Sequence, residues 1–338
     1  MPKGVSVIVC CYNSSLRLPE TLCYLAKQRC SIPWEIIIVD NNSSDNTSEA
    51  ASKLWECHQS STAFSIVQQP VTGLSAARQM GVLRAKYEYM IFCDDDNWLD
   101  KNYVNTAFEV IDSDNDIAIV GGIGYPVFGG DKPNWFDTFY NGYAVYGQDE
   151  KSGEVKSVYG AGMVLRKSFI ETCNKLFIHS ILSDRKGNEL SSGGDAEICY
   201  WGRMAGFKIW FDERLAFKHY IPMQRLSWDY LKKLHIGFAK SFAILNLYEA
   251  AITNRRKQLP SYYWLKKAFY MLLIYIKYSF LFYKKIRSGK GEHEEILLLS
   301  WVAQAKMYLR LNIQFKKNQR KIFYYKQLLA NHHGLPIS

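Results

Sequence analysis

The residues best suited to chemistry in this chain are carboxylates, and their densest group is Phe92-Cys93-Asp94-Asp95-Asp96-Asn97-Trp98. Three adjacent carboxylates repel one another and cost stability unless a cation or hydrogen-bond donors compensate. If the backbone is extended there, Asp94 and Asp96 point to roughly one side and address one ligand together. A divalent cation shared with a diphosphate resolves the repulsion and neutralises a leaving group. A solvated acidic turn is the plainer alternative. The second group is Gly193-Gly194-Asp195-Ala196-Glu197, at the start of an expected helix. Asp195 is either an N-cap or a general base that takes the proton of an alcohol, a poor nucleophile without such help. The glycines, Gly194 included, leave space beside it. Glu197 stands roughly 200° round the helix from Asp195 and is expected to support the site rather than act with it.

Three single residues join these groups. Asp40 follows a strand and is placed to accept hydrogen bonds from a base or a ribose. Arg78 lies on a helix, where it meets a nucleobase or a phosphate. His219 follows a strand-like segment and offers the cation a ligand or touches a phosphate. A turn former, a surface arginine and an ordinary histidine are the structural alternatives.

The elements that carry these residues alternate between strand and helix. Val5 to Cys11 is a β-branched run ending at Tyr12-Asn13-Ser14-Ser15, and Leu16 to Gln28 reads as a helix. Trp34 to Val39 is apolar enough for a strand covered on both faces, and a helix runs from its polar turn towards Cys57. Phe64 to Gln68 and Tyr89 to Cys93 are further strands, with a helix from Ala76 to Ala85 between them. Four strands ending in polar residues predict a parallel sheet with one ligand-binding edge. A helix from about Tyr103 to Asp112 and a strand at Ile117 to Gly121 follow. A strand within Ser157 to Arg166, a helix from Asp195 to Gly206 and two short strands, Phe207 to Phe211 and Leu215 to Phe217, complete this region.

Beyond residue 220 the period becomes helical, over Ser227–Glu249, Tyr262–Ile286, His293–Leu311 and Lys321–Leu329. The charge changes there as well: 21 Lys and Arg stand against 27 Asp and Glu up to Tyr220, and 21 against 5 beyond it. In the second helix Lys277 interrupts the apolar run and Lys284, Lys285 and Arg287 follow it. A membrane span needs roughly 20 apolar residues, so a helix lying in the interface of an anionic membrane is expected instead. A bundle that packs on the rest of the chain or forms a homo-oligomer is the alternative. The 8 cysteines all precede residue 200 and none forms a C-x-x-C pair, which predicts reduced, packed thiols in a cytoplasmic protein. The first strand begins almost at residue 4, so no signal peptide is expected.

Other functional classes fit less well. A nucleotidyltransferase acting on sugar phosphates usually carries a basic, glycine-rich phosphate loop, which is missing after the first strand. No G-x-G-x-x-G follows that strand, which argues against a dinucleotide-binding oxidoreductase. A non-enzymatic nucleic-acid-binding module would use the basic half and leave Asp94, Asp95, Asp96 and Asp195 unexplained.

The ordered segments VSVIVCCYN, EIIIVDNNSSDNT, GLSAARQMG, YMIFCDDDNWL, YGAGMVLRKS and GGDAEICYWGRMAGFKIWFDERLAFKH cover nearly all of residues 4 to 220. In order and spacing the sequence resembles the inverting glycosyltransferase family 2, whose members adopt the GT-A nucleotide-diphospho-sugar transferase fold. The resemblance implies an α/β catalytic domain over residues 1–220, mostly parallel in its central sheet, and a mainly helical, basic extension over 221–338. It implies that Tyr12 and Asp40 face the nucleobase with Arg78 nearby, that Asp94 lies near the ribose, and that Asp95 belongs to the same nucleotide-binding set. Asp96 resembles the metal ligand of a D-x-D element for Mn2+ or Mg2+, His219 a histidine that helps hold the metal or diphosphate, and Asp195 the catalytic base.

The implied reaction moves a sugar from a nucleoside diphosphate, UDP being the expected carrier, to a hydroxyl of a saccharide or lipid-linked saccharide. Cys10 stands where such proteins commonly have proline, and Gly194 where many have glutamate. Gln224-Arg225-Leu226-Ser227-Trp228 only echoes Q-x-x-R-W, which points to single sugar additions rather than processive synthesis.

Overall fold

The computed structural model describes residues 1–147, 151–182, 193–253, 259–260, 262–288 and 291–332. Two compact units interleave along the chain. The first comprises Met1–Gly129, Tyr143–Phe177 and Gly206–Pro222; the second comprises Gly130–Gly142, Ile178–Ala205 and Met223–Ser338.

The first unit is built on one mixed sheet. Strands β1 (Val5–Cys11), β2 (Trp34–Asp40), β3 (Ala63–Gln68) and β4 (Tyr89–Asp94) are parallel, in the order β3-β2-β1-β4. Helices α1 (Leu18–Ala26), α2 (Thr47–Cys57) and α3 (Leu74–Arg84) connect them. β1 and most of β2 and β4 are buried on both faces, which is why their sequences are unbroken apolar runs rather than alternating ones. α3 lies so close to the sheet that a Cβ at Gly81 would stand 2.3 Å from Ile8 Cγ2. Glycine is what permits that approach.

Beyond β4 the sheet continues through β8 (Val164–Arg166), β6 (Ile117–Phe128) and β9 (Lys208–Ile221) to β5 (Asn97–Leu99), with β7 (Gly153–Val155) also on β9. β8 is antiparallel to β4 and β6, whereas β6 and β9 are parallel. Helices α4 (Tyr103–Ser113) and α6 (Lys167–Lys175) flank this half.

Several sequence expectations are corrected here. The two short strands expected at 207–211 and 215–217 are one strand, β9. The intervening residues form an irregularity where Gly121 pairs Phe211 and Ile123 pairs Ala216. Its polar residues are satisfied locally, Arg214 Nε and Nη2 donating to Asp212 at 2.9 and 2.8 Å. β6 runs on to Phe128 instead of stopping at Gly121, because β9 supplies it with a partner as far as Ile221.

In the second unit, α7 (Gly194–Met204) packs with α8 (Trp228–Thr253) and α10 (Glu292–His332), and α9 (Tyr263–Arg287) packs on α10; a single helical turn, α5 (Phe136–Phe139), also belongs here. The two helices expected at 293–311 and 321–329 are halves of α10, which is broken at Asn312, where φ is 20°. Tyr248, Tyr308, Phe315, Ile322 and Leu329 are fully buried in this unit. Asn246 Nδ2 donates to Tyr308 Oη at 2.9 Å and Lys326 Nζ to the Ala251 carbonyl at 2.8 Å, so these polar groups between the helices are paired. Among the described residues no helix is long and apolar enough to cross a membrane.

Candidate active site

The parallel register fixes one edge of the sheet. Cys11 pairs Asp40 and Cys10 pairs Asp94, so the ends of β1, β2 and β4 stand level, each running into polar residues. The acidic triplet does not meet the condition of an extended backbone under which Asp94 and Asp96 would share one side: Asp94 closes β4, Asp95 and Asp96 make a tight turn, and Asn97 opens β5. A turn sends successive carboxylates in different directions. Asn97 is fully buried and stabilises this one, accepting from the Asp94 N–H at 3.1 Å and donating from Nδ2 to Asp96 Oδ1 at 3.3 Å.

Asp95 points back into the protein. Its Oδ2 accepts from Ser14 Oγ and, at 2.6 Å, from Arg17 Nη2. Its carbonyl accepts from Thr21 Oγ1 at 2.8 Å. Burial and the neighbouring Asp96 push its carboxyl up, and Arg17 and Ser14 oppose that shift. The same Ser14 Oγ accepts from the Tyr12 N–H at 3.0 Å, and the Tyr12 carbonyl accepts from Arg17 Nη2 at 3.3 Å. Asp95 therefore ties the β1–α1 loop to the acidic turn. Tyr12, 52% exposed, projects from that loop.

Asp96 and His219 are brought together by β5. Asn97 pairs His219 across the β5–β9 ladder, and the Tyr220 N–H donates to the Asp96 carbonyl at 2.9 Å. His219 Nε2 then lies 3.5 Å from Asp96 Oδ1, with both side chains buried. Trp98 stacks between Tyr24 of α1 and Tyr220 of β9, with ring centroids 5.6 and 5.8 Å away, and so holds β5 flat against both. A carboxylate and an imidazole at this spacing are a partial donor set for a divalent cation. Among the described residues no third His, Cys, Asp or Glu joins them. Two protein ligands suffice where substrate phosphates supply the remaining oxygens.

Asp40 is committed to its own loop. Its oxygens accept from the Ser43 N–H at 3.0 Å, from Ser48 Oγ and from Gln68 Nε2 at 3.4 Å. Burial raises its carboxyl, but these donors outweigh burial and the net shift is downward. Asn41, buried beside it, clips the next loop by donating to the Gln69 and Val71 carbonyls and accepting from the Gly73 N–H at 2.7 Å. Arg78 on α3 lies with its guanidinium 4.8 Å from the centroid of Phe92 on β4.

In the second unit the N-cap of α7 is Gly193, with φ at 102°, so Asp195 is not the N-cap but lies inside the first turn, half-buried. A Cβ at Gly194 would meet nothing within 4 Å. Glu197 is fully buried and accepts from the Ile181 N–H at 2.8 Å, Tyr248 Oη at 2.6 Å and Ser180 Oγ. Burial pushes its carboxyl up despite these three donors. It fastens α7 to α8 and the 178–182 segment.

Sequence reasoning missed Ser14, Arg17, Asn41 and Asn97. Ser14 and Asn97 lie in stretches already singled out, but their roles depend on Asp95 turning inward, which spacing alone does not reveal. None of the eight cysteines is in a disulfide, and burial raises the thiols of Cys11 and Cys93 well above the ordinary range.

A mixed, largely parallel sheet that gathers aspartates and a histidine at one edge has the GT-A fold. Residues 6–173 match the family model described as Glycosyl transferase family 2. Dolichyl-phosphate beta-glucosyltransferase of Mus musculus is 35% identical over 101 residues, 28% of this chain and 31% of that protein. Glycosyltransferase GlyG of Streptococcus pneumoniae is 30% identical over 120 residues, 35% of this chain and 39% of the relative. Chondroitin synthase of Pasteurella multocida is 28% identical over 120 residues, 12% of its length. The chain thus matches well under half of the length of these relatives. Among solved structures, the mannosyltransferase PcManGT of Pyrobaculum calidifontis, in complex with GDP-Man and Mn2+, aligns with a TM-score of 0.53 and 15% identity over 98% of this chain and 87% of that one. S. aureus TarS 1–349 with UDP-GlcNAc aligns at 0.50 and 17%, over 98% and 92%. These two likenesses are of fold.

Proposed function

We propose that the protein transfers single sugars from a nucleoside diphosphate sugar, UDP-linked, to a hydroxyl of a saccharide or lipid-linked saccharide, inverting the anomeric centre. The observation that carries this reading is the Asp96–His219 pair at the edge where β1, β2 and β4 end. These two residues would hold Mn2+ or Mg2+, and the imidazole nitrogen favours Mn2+, since Mg2+ prefers an all-oxygen shell. When bound, the ion offsets the negative charge of the departing diphosphate.

The chain's own groups do the rest. Tyr12 offers an exposed ring for the base, with Asp40 and Arg78 as its polar contacts, and Asp94 accepts from the ribose. Asp95 acts as a positioning residue, holding the Tyr12 loop against the acidic turn. Asp195 takes the proton of the acceptor hydroxyl as that oxygen bonds to the anomeric carbon and the bond to the diphosphate breaks. Gly194 and Glu197 support Asp195, the first by leaving its side open and the second by fixing α7.

The basic half of the chain supports an acceptor presented at the cytoplasmic face of an anionic membrane. Nucleic acid is not an expected partner. Incubation with a panel of nucleotide sugars and Mn2+, reading released nucleotide with and without acceptor, tests the reading. Asp195→Asn should lose at least about a hundredfold in turnover while binding donor normally; near-normal rates would remove Asp195 from the mechanism.

A further inference from the structure

The least expected feature of the second unit is the outer face of α9. Of its side chains only Ala268 is buried in full, at 1% exposure. Leu265, Phe269, Leu273, Ile276, Phe280 and Tyr283 are 48% to 81% exposed. At about 100° per residue these six fall within one sector roughly 80° wide, so they form a single stripe along the helix. Scattered apolar residues on a surface are ordinary, but a continuous stripe this long marks a contact face.

Charge identifies the partner. Between Tyr263 and Arg287 there are six basic residues and no acidic one. Lys266, Lys277 and Lys284 lie together along one border of the stripe, within about 20° of one another. Lys285 pairs with Glu294. For Lys266, Lys277 and Lys284 no ion pair with a carboxylate is seen among the described residues. A second copy of the chain docked through this face would set basic borders near one another. An anionic bilayer instead meets the stripe with acyl chains and the border with phosphates. Because no described helix can cross a membrane, the helix would lie in the plane of the interface, Tyr and Phe at headgroup depth.

We propose that the exposed stripe of α9 is a membrane-docking face, seated in an anionic lipid surface with Lys266, Lys277 and Lys284 on headgroup phosphates. This deepens the proposed membrane-presented acceptor and rests on that reading only for its purpose, not for its evidence. Flotation of the full chain with phosphatidylcholine vesicles, with and without phosphatidylglycerol, tests it. Binding should require the anionic lipid and weaken with salt. Lys266→Gln/Lys277→Gln/Lys284→Gln should lower the partition about a hundredfold, at about 1 kcal/mol per charge. Phe269→Ser/Ile276→Ser/Phe280→Ser should abolish it; these side chains are exposed, so an unchanged melting curve certifies the fold.

Two results overturn the proposal: wild-type chain that ignores anionic vesicles, or a dimer in light scattering that the serine variant converts to monomer. Nucleotide release from a soluble donor, measured on the same samples, separates the two readings. Vesicle binding without any transfer would sink the transferase reading alone, and transfer without vesicle binding would sink the docking face alone.

Discussion

Replacing Arg17 by Ala tests whether a buried ion pair holds the acidic turn in place. Removing one partner of such a pair typically costs about 3–5 kcal/mol, because the remaining charge is left uncompensated. Here the Arg17 side chain is 31% exposed and Ser14 Oγ remains as a donor to Asp95, so water and Ser14 soften the loss. About 2 kcal/mol is therefore expected at neutral pH. For a domain of about 200 residues this lowers the melting temperature by about 4–8 °C.

The pH dependence has a definite sign. The folded Asp95 carboxyl is already raised, so its charged form costs stability above the unfolded value of about 3.9. Removing Arg17 raises it further. The deficit of Arg17→Ala should be full above the folded pKa, shrink as pH falls through it, and vanish below the unfolded value. Circular-dichroism melts of Arg17→Ala, Asp95→Asn and the double variant, at about pH 7.5 and again near pH 4, form the cycle. In the Asp95→Asn background the arginine change should cost under about 0.5 kcal/mol. An equal cost in both backgrounds, or a deficit that ignores pH, would refute the pairing as the cause.

Three further outcomes are expected. His219→Ala should raise the Mn2+ concentration needed for half-maximal nucleotide release at least about tenfold, and an unchanged metal titration would exclude the imidazole as a ligand. Gly193→Ala should cost about 1–2 kcal/mol in urea unfolding, because φ at that position is 102°, whereas Gly194→Ala should be neutral; equal costs would contradict the capping geometry. Asp40 has a lowered folded pKa, so its contribution to stability is present above about pH 3.9 and is lost as pH falls through the folded value. Asp40→Asn should therefore be less stable than wild type at neutral pH and equal to it in strong acid, and a constant deficit would dissociate Asp40 from its serine donors.

The candidate site was legible where chemistry and local pattern coincide. Asp94, Asp96 and His219 were singled out by residue type, and β4 by its apolar run. The partnership of Asp96 with His219 was not legible. It depends on β5, three residues with no period of their own, which are a strand only because the edge of β9 is available to pair with Asn97, Trp98 and Leu99. Asp195 was visible as a carboxylate at a helix start. That Gly193 rather than Asp195 caps the helix follows from a backbone angle, which composition does not specify.

By itself, the sequence determined the alternation of β1 to β4 with α1 to α3 and the level polar edge those strands present. Buried parallel strands must be continuous apolar runs, and the polar residues that end them have to leave the core together. The charge division and the helical period beyond residue 220 are likewise local properties of the chain. Only the tertiary structure decided that Asp95 turns inward to Arg17 while Asp96 turns to His219, that 207–221 is one strand, and that α7 packs with the C-terminal helices. Each of these depends on which distant segment satisfies a hydrogen bond or a buried charge, and that partner can be far away in sequence: 78 residues separate Asp95 from Arg17.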